Sequence, residues 1–278
     1  MRAYLAEFLA DPRVVELPRW LWLPLLHGVV LRRRPAQSAA KYAKVWTPQG
    51  SPLAVHTARQ AQLLRAASGL PVEYAMRYGE PGIAAALRKL PGKVRVVPLY
   101  PQYARSTTES VRDVVGSGVA FVEQFHDHPG YIAALAALVQ GRPDVLVMSF
   151  HGLPQRAVER GDPYRDQCER TAALLAKELG LQPGQYRVAF QSRFGPARWL
   201  QPYTAQVLAQ LGAARTRRVD VLCPGFVADC LETLEEIAIE GRKIFLDAGG
   251  GEFHALPCLN GSPRWIAALK DIATRPVC

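Results

Sequence analysis

Residues 144–156 read DVLVMSFHGLPQR, and this stretch decides the fold class. Its first seven residues carry a single charge and are otherwise almost entirely apolar, which predicts a strand buried on both faces. Gly152 and Pro154 then supply a turn. His151 therefore lies where a buried strand meets a loop, and its position there calls for an explanation.

Short apolar runs of this kind alternate with helical patterns along the whole chain. We predict strands at 53–57, 72–78, 94–100, 119–125, 144–151, 186–192, 219–223 and 243–247. Helical patterns lie between them, for example at 131–140, 168–180 and 204–212. This alternation predicts an α/β fold of two Rossmann-like, doubly wound halves with parallel sheets. We interpret GGGEF (249–253) as a turn, because it lacks the lysine of a phosphate loop.

The predicted halves comprise residues 1–127 and 128–261, with a C-terminal helix over 262–278 that packs back on the first half. In open α/β sheets, ligands bind outside the carboxyl ends of the strands. His151 lies at such an end, and the loops at 98–103, 191–194 and 224–226 follow other predicted strands. We therefore expect these loops to converge on one cleft between the halves.

Composition narrows the classes of partner. The formal charge is +10, which favours an anionic partner, but the arginines are scattered apart from Arg32, Arg33 and Arg34, which argues against nucleic acid. The five cysteines form no CxxC pair, as expected of free thiols in the cytoplasm. Residues 17–31 are apolar but shorter than the roughly 20 residues of a membrane span. They indicate either a core helix and loop, or an apolar pocket lip that could touch a membrane.

The stretch CPGFVADCLETLEEIAIEG (223–241) predicts a helix that begins near Asp229. Glu232, Glu236 and Glu240 are spaced by four and share a helical face, with Asp229 one turn earlier. One interpretation is a capping box between Asp229 and Glu232, with the other two carboxylates in solvent. The other is a row of carboxylates that holds or conducts cations and protons.

His151 also has two interpretations, because a lone histidine is often only a structural hydrogen-bonding group. If the cleft brings it opposite Glu232, an imidazole and a carboxylate suit Fe(II), Zn(II) or Co(II), and could also relay protons. Two protein ligands would hold a metal only in transit. The chain contains no GxGxxG after a strand and no GxSxG, so neither nucleotide binding nor serine hydrolysis is supported.

Several stretches together resemble the bacterial ferrochelatases. They are YPQYARSTT (100–108), SFHGLPQR (149–156), GDPY (161–164), FQSRFGPARWLQPYT (190–204), CPGFVADCLETLEEI (223–237) and CLNGSP (258–263). The resemblance implies two Rossmann-like halves around a porphyrin cleft. It also implies a lyase of haem biosynthesis that inserts Fe²⁺ into protoporphyrin IX or coproporphyrin III and releases two protons.

The resemblance assigns roles to residues that match the family's motifs. His151 and Glu232 would be the catalytic, metal-binding pair. Asp229, Glu236 and Glu240 would form an acidic row on a helix with a π-type distortion. The implied porphyrin contacts are Arg33 or Arg34, Tyr42, Ser51, Arg77, Tyr78 and Trp199.

The resemblance also implies what accompanies the chain. Fe²⁺ is a substrate, and we expect no permanent cofactor and no iron–sulfur cluster. We expect a cytoplasmic monomer that binds porphyrin, does not bind nucleic acid, and can make a peripheral membrane contact. Ferrochelatases have a strand and loop before the first helix of this sequence, so we expect the chain as given to be unstable and weakly active. The alternatives are a non-catalytic tetrapyrrole-binding protein and a cobalt or nickel chelatase for another tetrapyrrole.

Overall fold

The computed structural model describes residues 1–193, 195 and 197–275, and its strands form two parallel sheets. The strands of this part of the chain are β1 (Arg95–Val96), β2 (Ala120–Phe121), β3 (Val145–His151), β4 (Tyr186–Gln191), β5 (Arg218–Leu222) and β6 (Glu252–Ala255). Strands β1 and β2 pair with each other, and the larger sheet has the order β4-β3-β5-β6. The mixed α/β class with parallel sheets is confirmed.

Strand β3 is central in the larger sheet, as its composition predicts. Val145 to Phe150 are all buried, and the last residue, His151, is partly exposed. The strand pairs with β4 on one side and β5 on the other. A strand covered on both faces can be apolar throughout, because neither face meets water. The predictions at 144–151, 186–192 and 219–223 are therefore confirmed to within a few residues.

The last predicted strand is wrong. Residues 243–247 lie in a helix, and the fourth strand, β6, follows the glycines at 249–251. KIFLD is a short apolar run, and such a run cannot be told from a helical turn by pattern alone. Our interpretation of GGGEF as a turn missed β6, since the glycines before this strand look like a turn in the sequence. Gly251 instead allows the backbone before β6 to lie close to the backbone at Arg217, just before β5. A Cβ at residue 251 would lie 2.3 Å from the carbonyl oxygen of Arg217.

The α-helices of the described chain cover both parts of the sequence. They are α1 (Arg2–Ala10), α2 (Arg19–Leu25), α3 (Leu31–Ala43), α4 (Pro52–Ser68), α5 (Ile83–Leu87), α6 (Ser110–Val115), α7 (Pro129–Ala136), α8 (Gln155–Glu159), α9 (Tyr164–Glu178), α10 (Thr204–Ala213), α11 (Arg242–Asp247) and α12 (Pro263–Thr274). Among the described residues, three segments are π-helical: π1 (Leu26–Val30), π2 (Arg105–Glu109) and π3 (Glu232–Gly241). No helix in these residues is both long and apolar enough to cross a membrane.

Two predicted strands of the N-terminal part are wrong as well. Residues 53–57 lie in α4, where Pro52 occupies the first helical position and Gly69 ends the helix in a left-handed conformation. Residues 72–78 form no strand, and Met76 makes one isolated bridge, to Gly82. The runs at 94–100 and 119–125 pair over only two residues each, as β1 and β2.

The main core lies between the larger sheet and the helices α7, α9 and α12. Phe125, Tyr131 and Trp265 form an aromatic cluster there, with ring centroids 5.6 to 6.1 Å apart. The hydroxyl of Tyr131 donates a hydrogen bond to the carbonyl oxygen of Pro224, in the loop after β5. Helix α12 packs against both α4 and α7, and residues 276–278 of its predicted range lie outside the described residues.

Candidate functional site

His151 lies at the carboxyl end of β3, beside Gln191 at the end of β4. Its Nδ1 is 2.7 Å from the carbonyl oxygen of Gly152. Because a carbonyl can only accept, Nδ1 carries a proton and donates it to this contact. The nitrogen that can take a proton or bind a metal ion is therefore Nε2.

Gly152 is required at this turn because the chain passes close to β4. A Cβ at residue 152 would lie 2.7 Å from the carbonyl oxygen of Gln191 and 3.1 Å from the ring of Trp199. The backbone N–H of Gly152 donates to that same carbonyl at 2.7 Å. The glycine thus lets the loop that carries His151 sit directly against the neighbouring strand and against Trp199.

Gln191 joins the strand side of the site to the helix side. The Ser149 hydroxyl donates to its Oε1 at 2.7 Å, which directs the amide Nε2 to the carbonyl oxygen of Glu232 at 2.9 Å. Gln191 is buried and pairs with His151 across the sheet. The side chain of Gln191, on β4, therefore links the backbone of Glu232 to Ser149 on β3, the strand that ends in His151. Sequence reasoning missed Gln191, although it lies within the FQS motif.

The charge of Glu232 acts on three tyrosine side chains. Burial, and then Glu232, raise the pKa of Tyr42 to about 12. Burial, then Tyr42 and Glu232, raise the pKa of Tyr4. Burial is also the main cause of a raised pKa at Tyr100, to which Glu232 adds while Arg77 opposes it. These phenols stay neutral at physiological pH, so they add no negative charge near Glu232.

The predicted capping box between Asp229 and Glu232 is wrong. Helix π3 begins at Glu232, and the Asp229 carboxylate is buried and accepts hydrogen bonds from Thr233 Oγ1 (2.9 Å), Cys258 N (3.2 Å) and Asn260 Nδ2 (2.6 Å). Thr233 in turn accepts from the N–H of Cys230. Asp229 therefore binds the CLNG segment to the start of the helix and does not cap it with Glu232.

The other two members of the acidic row also have partners. Glu236 accepts from the backbone N–H of Ser192 at 2.7 Å and from the hydroxyl of Ser192. Ser192 adopts a φ of 64°, which is uncommon for a residue other than glycine and directs both of its donors to Glu236. Glu240 accepts from Lys41 Nζ at 3.0 Å. The row is thus a series of individually hydrogen-bonded carboxylates on a π-helix.

Sequence reasoning missed a further carboxylate, that of Glu235. Its side chain is 1% exposed, yet it accepts from Lys41 Nζ at 2.9 Å and Lys44 Nζ at 2.8 Å. Burial would raise the pKa of Glu235, but the two ammonium groups outweigh that effect and lower it. The signal in the sequence was the doublet Glu235–Glu236. Adjacent residues point in different directions on a helix, so Glu235 cannot lie on the face that Glu232 and Glu236 share.

The predicted porphyrin contacts fall into two groups. Tyr42 lies beside Glu232, and Trp199 packs on the Gly152 turn. Arg33, exposed, and Arg34, partly buried, lie on α3, and Ser51 immediately precedes α4. Phe194 and Pro196, within the matched loop, lie outside the described residues.

Arg77 and Tyr78 form the second group, because their polar atoms bind within the protein. Arg77 Nη2 lies 2.7 Å from the Asp11 carboxylate, and the Tyr78 hydroxyl lies 2.8 Å from the same oxygen. Ser110 Oγ donates to that oxygen at 2.5 Å, and Arg77 Nε donates to Ser110. Asp11 is buried, so this network joins α1 to the start of α6.

Within the described residues, no group of three or more His, Cys, Asp or Glu side chains is arranged to hold a metal ion. Gln191 is the residue that contacts both predicted partners, since it pairs with His151 across the sheet and donates to the backbone oxygen of Glu232.

Comparison with known proteins identifies the family that this chain resembles. The ferrochelatase family profile matches residues 1–276. The chain is 56% identical to a ferrochelatase of Azoarcus sp. over 97% of this chain and 81% of the relative. It is 54% identical to a ferrochelatase of Methylibium petroleiphilum over 99% of this chain and 82% of the relative.

Solved structures share the fold at low sequence identity. "SirB from Bacillus subtilis with Fe3+" is 15% identical, with a TM-score of 0.57 over 81% of this chain and 92% of that one. CbiX, described as the terminal enzyme for siroheme biosynthesis in denitrifying bacteria, is 20% identical, with a TM-score of 0.51 over 81% of this chain and 91% of that one. At these identities the likeness concerns the fold alone.

Proposed function

The chain belongs to the ferrochelatase family, and from this premise we propose which of its residues carry out the reaction. The protein is an enzyme of haem and porphyrin biosynthesis, a lyase that inserts Fe²⁺ into a porphyrin. The observation that carries the proposed site is the hydrogen-bonded path from His151 to Glu232. His151 leaves Nε2 available at the carboxyl end of β3. Its neighbour on β4, Gln191, donates a hydrogen bond to the backbone oxygen of Glu232.

The proposed chemistry follows from the balance of charge. Two pyrrole N–H groups must lose their protons as Fe²⁺ enters, so the products are the neutral metalloporphyrin and two protons. His151 Nε2 is the base that accepts a pyrrole proton, since Nδ1 is engaged by the carbonyl oxygen of Gly152 and imidazole is the side chain most often used as a general base. The Glu232 carboxylate binds the arriving Fe²⁺, and the neutral phenols of Tyr4, Tyr42 and Tyr100 do not compete for it.

The acidic row provides a proposed exit for protons. Glu236 follows Glu232 by one helical turn and Glu240 follows Glu236. Because Glu236 and Glu240 already accept hydrogen bonds, they are better suited to pass protons between fixed groups than to bind a passing metal ion. Asp229 anchors the helix start under this proposal and takes no part in transfer.

The apolar N-terminal segment forms the proposed porphyrin lip. Trp22 and Leu26 are buried, whereas Trp20 is 80% exposed, and Leu21, Leu25 and Val29 are exposed beside it. Arg33 or Arg34, on the following helix, would pair with a propionate of the substrate, because guanidinium groups bind carboxylates well. An apolar plate with anionic edges fits such a surface. We further propose that this lip makes a peripheral contact with membranes, where Trp20 and the arginines would meet the interface.

We also propose that the enzyme works as a cytoplasmic monomer without a resident cofactor or iron–sulfur cluster. Cys168, Cys223, Cys230 and Cys258 support this, because all four are buried and free, as expected in a reducing compartment. Burial raises the pKa of each of these thiols, so they are neutral and poor metal ligands. The shared name of the relatives favours iron insertion over the two alternatives, binding without catalysis and cobalt or nickel insertion.

An anaerobic fluorescence assay tests the proposed function. The purified chain is mixed with Fe²⁺ and either protoporphyrin IX or coproporphyrin III, and the loss of porphyrin fluorescence is followed. We expect turnover of at least one porphyrin, with Co²⁺ and Ni²⁺ slower than Fe²⁺. Tight porphyrin binding with no metallation of either porphyrin would contradict the proposal and support the non-catalytic alternative.

A further inference from the structure

Four charged side chains form one cluster, which we name the lysine clamp: Lys41, Lys44, Glu235 and Glu240. Only Glu240 among them also belongs to the proposed proton exit. Lys41 Nζ lies 2.9 Å from Glu235 and 3.0 Å from Glu240, and Lys44 Nζ lies 2.8 Å from Glu235. Glu235 is buried, while both lysines are about half exposed. A buried carboxylate is costly unless it is paired, so the two lysines are what make Glu235 tolerable there.

The contact of one lysine with both carboxylates depends on the π-helix. In an α-helix each residue turns about 100°, so residues five apart lie about 140° apart around the axis and point away from each other. In a π-helix the hydrogen bonds run from residue i to i+5, so residues five apart lie close to one face. Glu235 and Glu240 are five apart, and Lys41 binds both. The clamp therefore fits the π-helical form and would lose a contact in the α-helical form.

The clamp also joins the two sides of the proposed site. Lys41 and Lys44 flank Tyr42, at the end of α3, and Glu235 follows Glu232 by three residues in π3. Tyr42 lies close enough to Glu232 to be affected by its charge. The same ion pairs that hold the helix thus also hold the tyrosine beside the proposed metal-binding carboxylate.

We propose that Lys41 and Lys44 are positioning residues, which keep the site helix π-helical and keep Tyr42 against Glu232 by binding Glu235 and Glu240. The inference rests on the role proposed for Glu232. Both lysines act through the carboxylates that they bind. Helix π3 carries four carboxylates and no basic residue, so the lysines supply the opposing charge from outside the helix.

The test uses the full chain with Lys41→Met and Lys44→Met combined, since Met keeps much of the apolar stem and removes the charge. The matched control is Lys243→Met, which breaks an exposed lysine–aspartate pair on α11, the direct continuation of π3. A charge-conserving variant, Lys41→Arg with Lys44→Arg, tests whether a positive charge at these two positions is enough to preserve the helix and the activity. Lys44→Met alone retains both contacts of Lys41 and serves if the double variant does not fold.

Two readouts separate positioning from general stability. Hydrogen exchange without substrate should rise about tenfold at the amides of 232–241 while the β3 amides stay protected, because the effect is local. In turnover assays kcat should fall about tenfold with the KM for porphyrin nearly unchanged, since an interaction that matters in the transition state is affected. The arginine variant should recover most of both, and Lys243→Met should change neither.

Two outcomes would overturn the inference. One is that the double variant has the same hydrogen exchange at 232–241 and the same kcat as Lys243→Met. The other is exchange that rises equally across the whole chain, which would make the clamp a general stabilising contact. Because exchange is measured without substrate, it decides the clamp even if the wild-type chain metallates no porphyrin, in which case only the proposed function fails.

Discussion

The proposed site has a strand side, which carries His151, and a helix side, which carries Glu232, and different forces hold the two residues. His151 is the last residue of a buried central strand, and backbone pairing with Gln191 fixes its place. Glu232 opens a π-helix whose carboxylates are held by side chains from several other segments, including Ser192 and Lys41. The strand side is built by main-chain hydrogen bonds and apolar burial, whereas the helix side is built by paired charges.

This difference teaches where a change in the site should also change the fold. A partly exposed side chain at the carboxyl end of a strand can be truncated without opening a core cavity, because the strand is held by its backbone. A carboxylate on the helix side shares its partners with other groups, so its removal leaves lysines or hydroxyls unpaired. We therefore expect truncation of His151 to lower activity without lowering stability, whereas loss of a carboxylate that has ion-pair partners, such as Glu235, should lower stability as well.

The largest effect is expected from His151→Ala. Loss of the base should lower kcat about a thousandfold, within the range typical of general base catalysis. The unfolding midpoint should stay close to that of the wild type, because the ring is only partly buried at the strand end. The measurement combines anaerobic metallation kinetics, porphyrin binding by fluorescence, and thermal unfolding. Near-normal turnover would remove His151 from the site.

Glu232→Gln should be the next largest, with about a hundredfold loss of kcat through loss of the metal-binding charge. Gln has nearly the same size, and the backbone carbonyl that Gln191 binds is retained. Thermal stability should therefore be unchanged. A variant that melts markedly lower yet turns over normally would show that Glu232 has only a structural role.

Gly152→Ala tests the strand side by packing. A Cβ 2.7 Å from the carbonyl oxygen of Gln191 forces the turn to move, so we expect a loss of about 1 to 3 kcal/mol in unfolding free energy. Turnover should also fall, because the carbonyl oxygen of Gly152 itself binds Nδ1 of His151 and would move with the turn. Urea unfolding and turnover measure the two effects. Gly28→Ala, where nothing lies within 4 Å, is the control for stability.

The smallest effect is expected in the pH dependence of stability at Glu235. The lysines lower its pKa in the folded chain relative to the unfolded chain. Its contribution to stability is thus present above the unfolded pKa and is lost as the pH falls through the folded pKa. Urea unfolding of Glu235→Gln should show less loss of stability on acidification than the wild type. An identical pH profile would mean that the ion pairs add nothing to folding.

The strand side could be read from the sequence because one physical rule covers it. A continuous apolar run predicts a strand covered on both faces, and the carboxyl end of such a strand is a ligand site. The run 144–150 and His151 met both conditions. The strand at 243–247 failed because the preceding helix continues through that run, and the glycines that admit β6 look like a turn.

The helix side could be read only in part. The spacing of Glu232, Glu236 and Glu240 and the resemblance to ferrochelatases indicated a row and a π-helix, which the structure has at 232–241. The buried Glu235 could not be found by α-helical spacing, since its partnership with Glu240 exists only in the π-helix. Its lysines lie almost 200 residues earlier in the sequence, beyond any local pattern. The two-residue strands β1 and β2 were overestimated for a related reason, because apolar runs do not show how many residues find a partner.

The central claim is that the strand side and the helix side act as one site, and a double-mutant cycle of His151→Ala and Glu232→Gln tests it most directly. Each single variant and the double variant are assayed for kcat with Fe²⁺ under anaerobic conditions. If the two residues act as a unit, the double variant should lose about as much as His151→Ala alone, about a thousandfold. Losses that multiply, to about a hundred-thousandfold, would show two independent contributions and contradict the account.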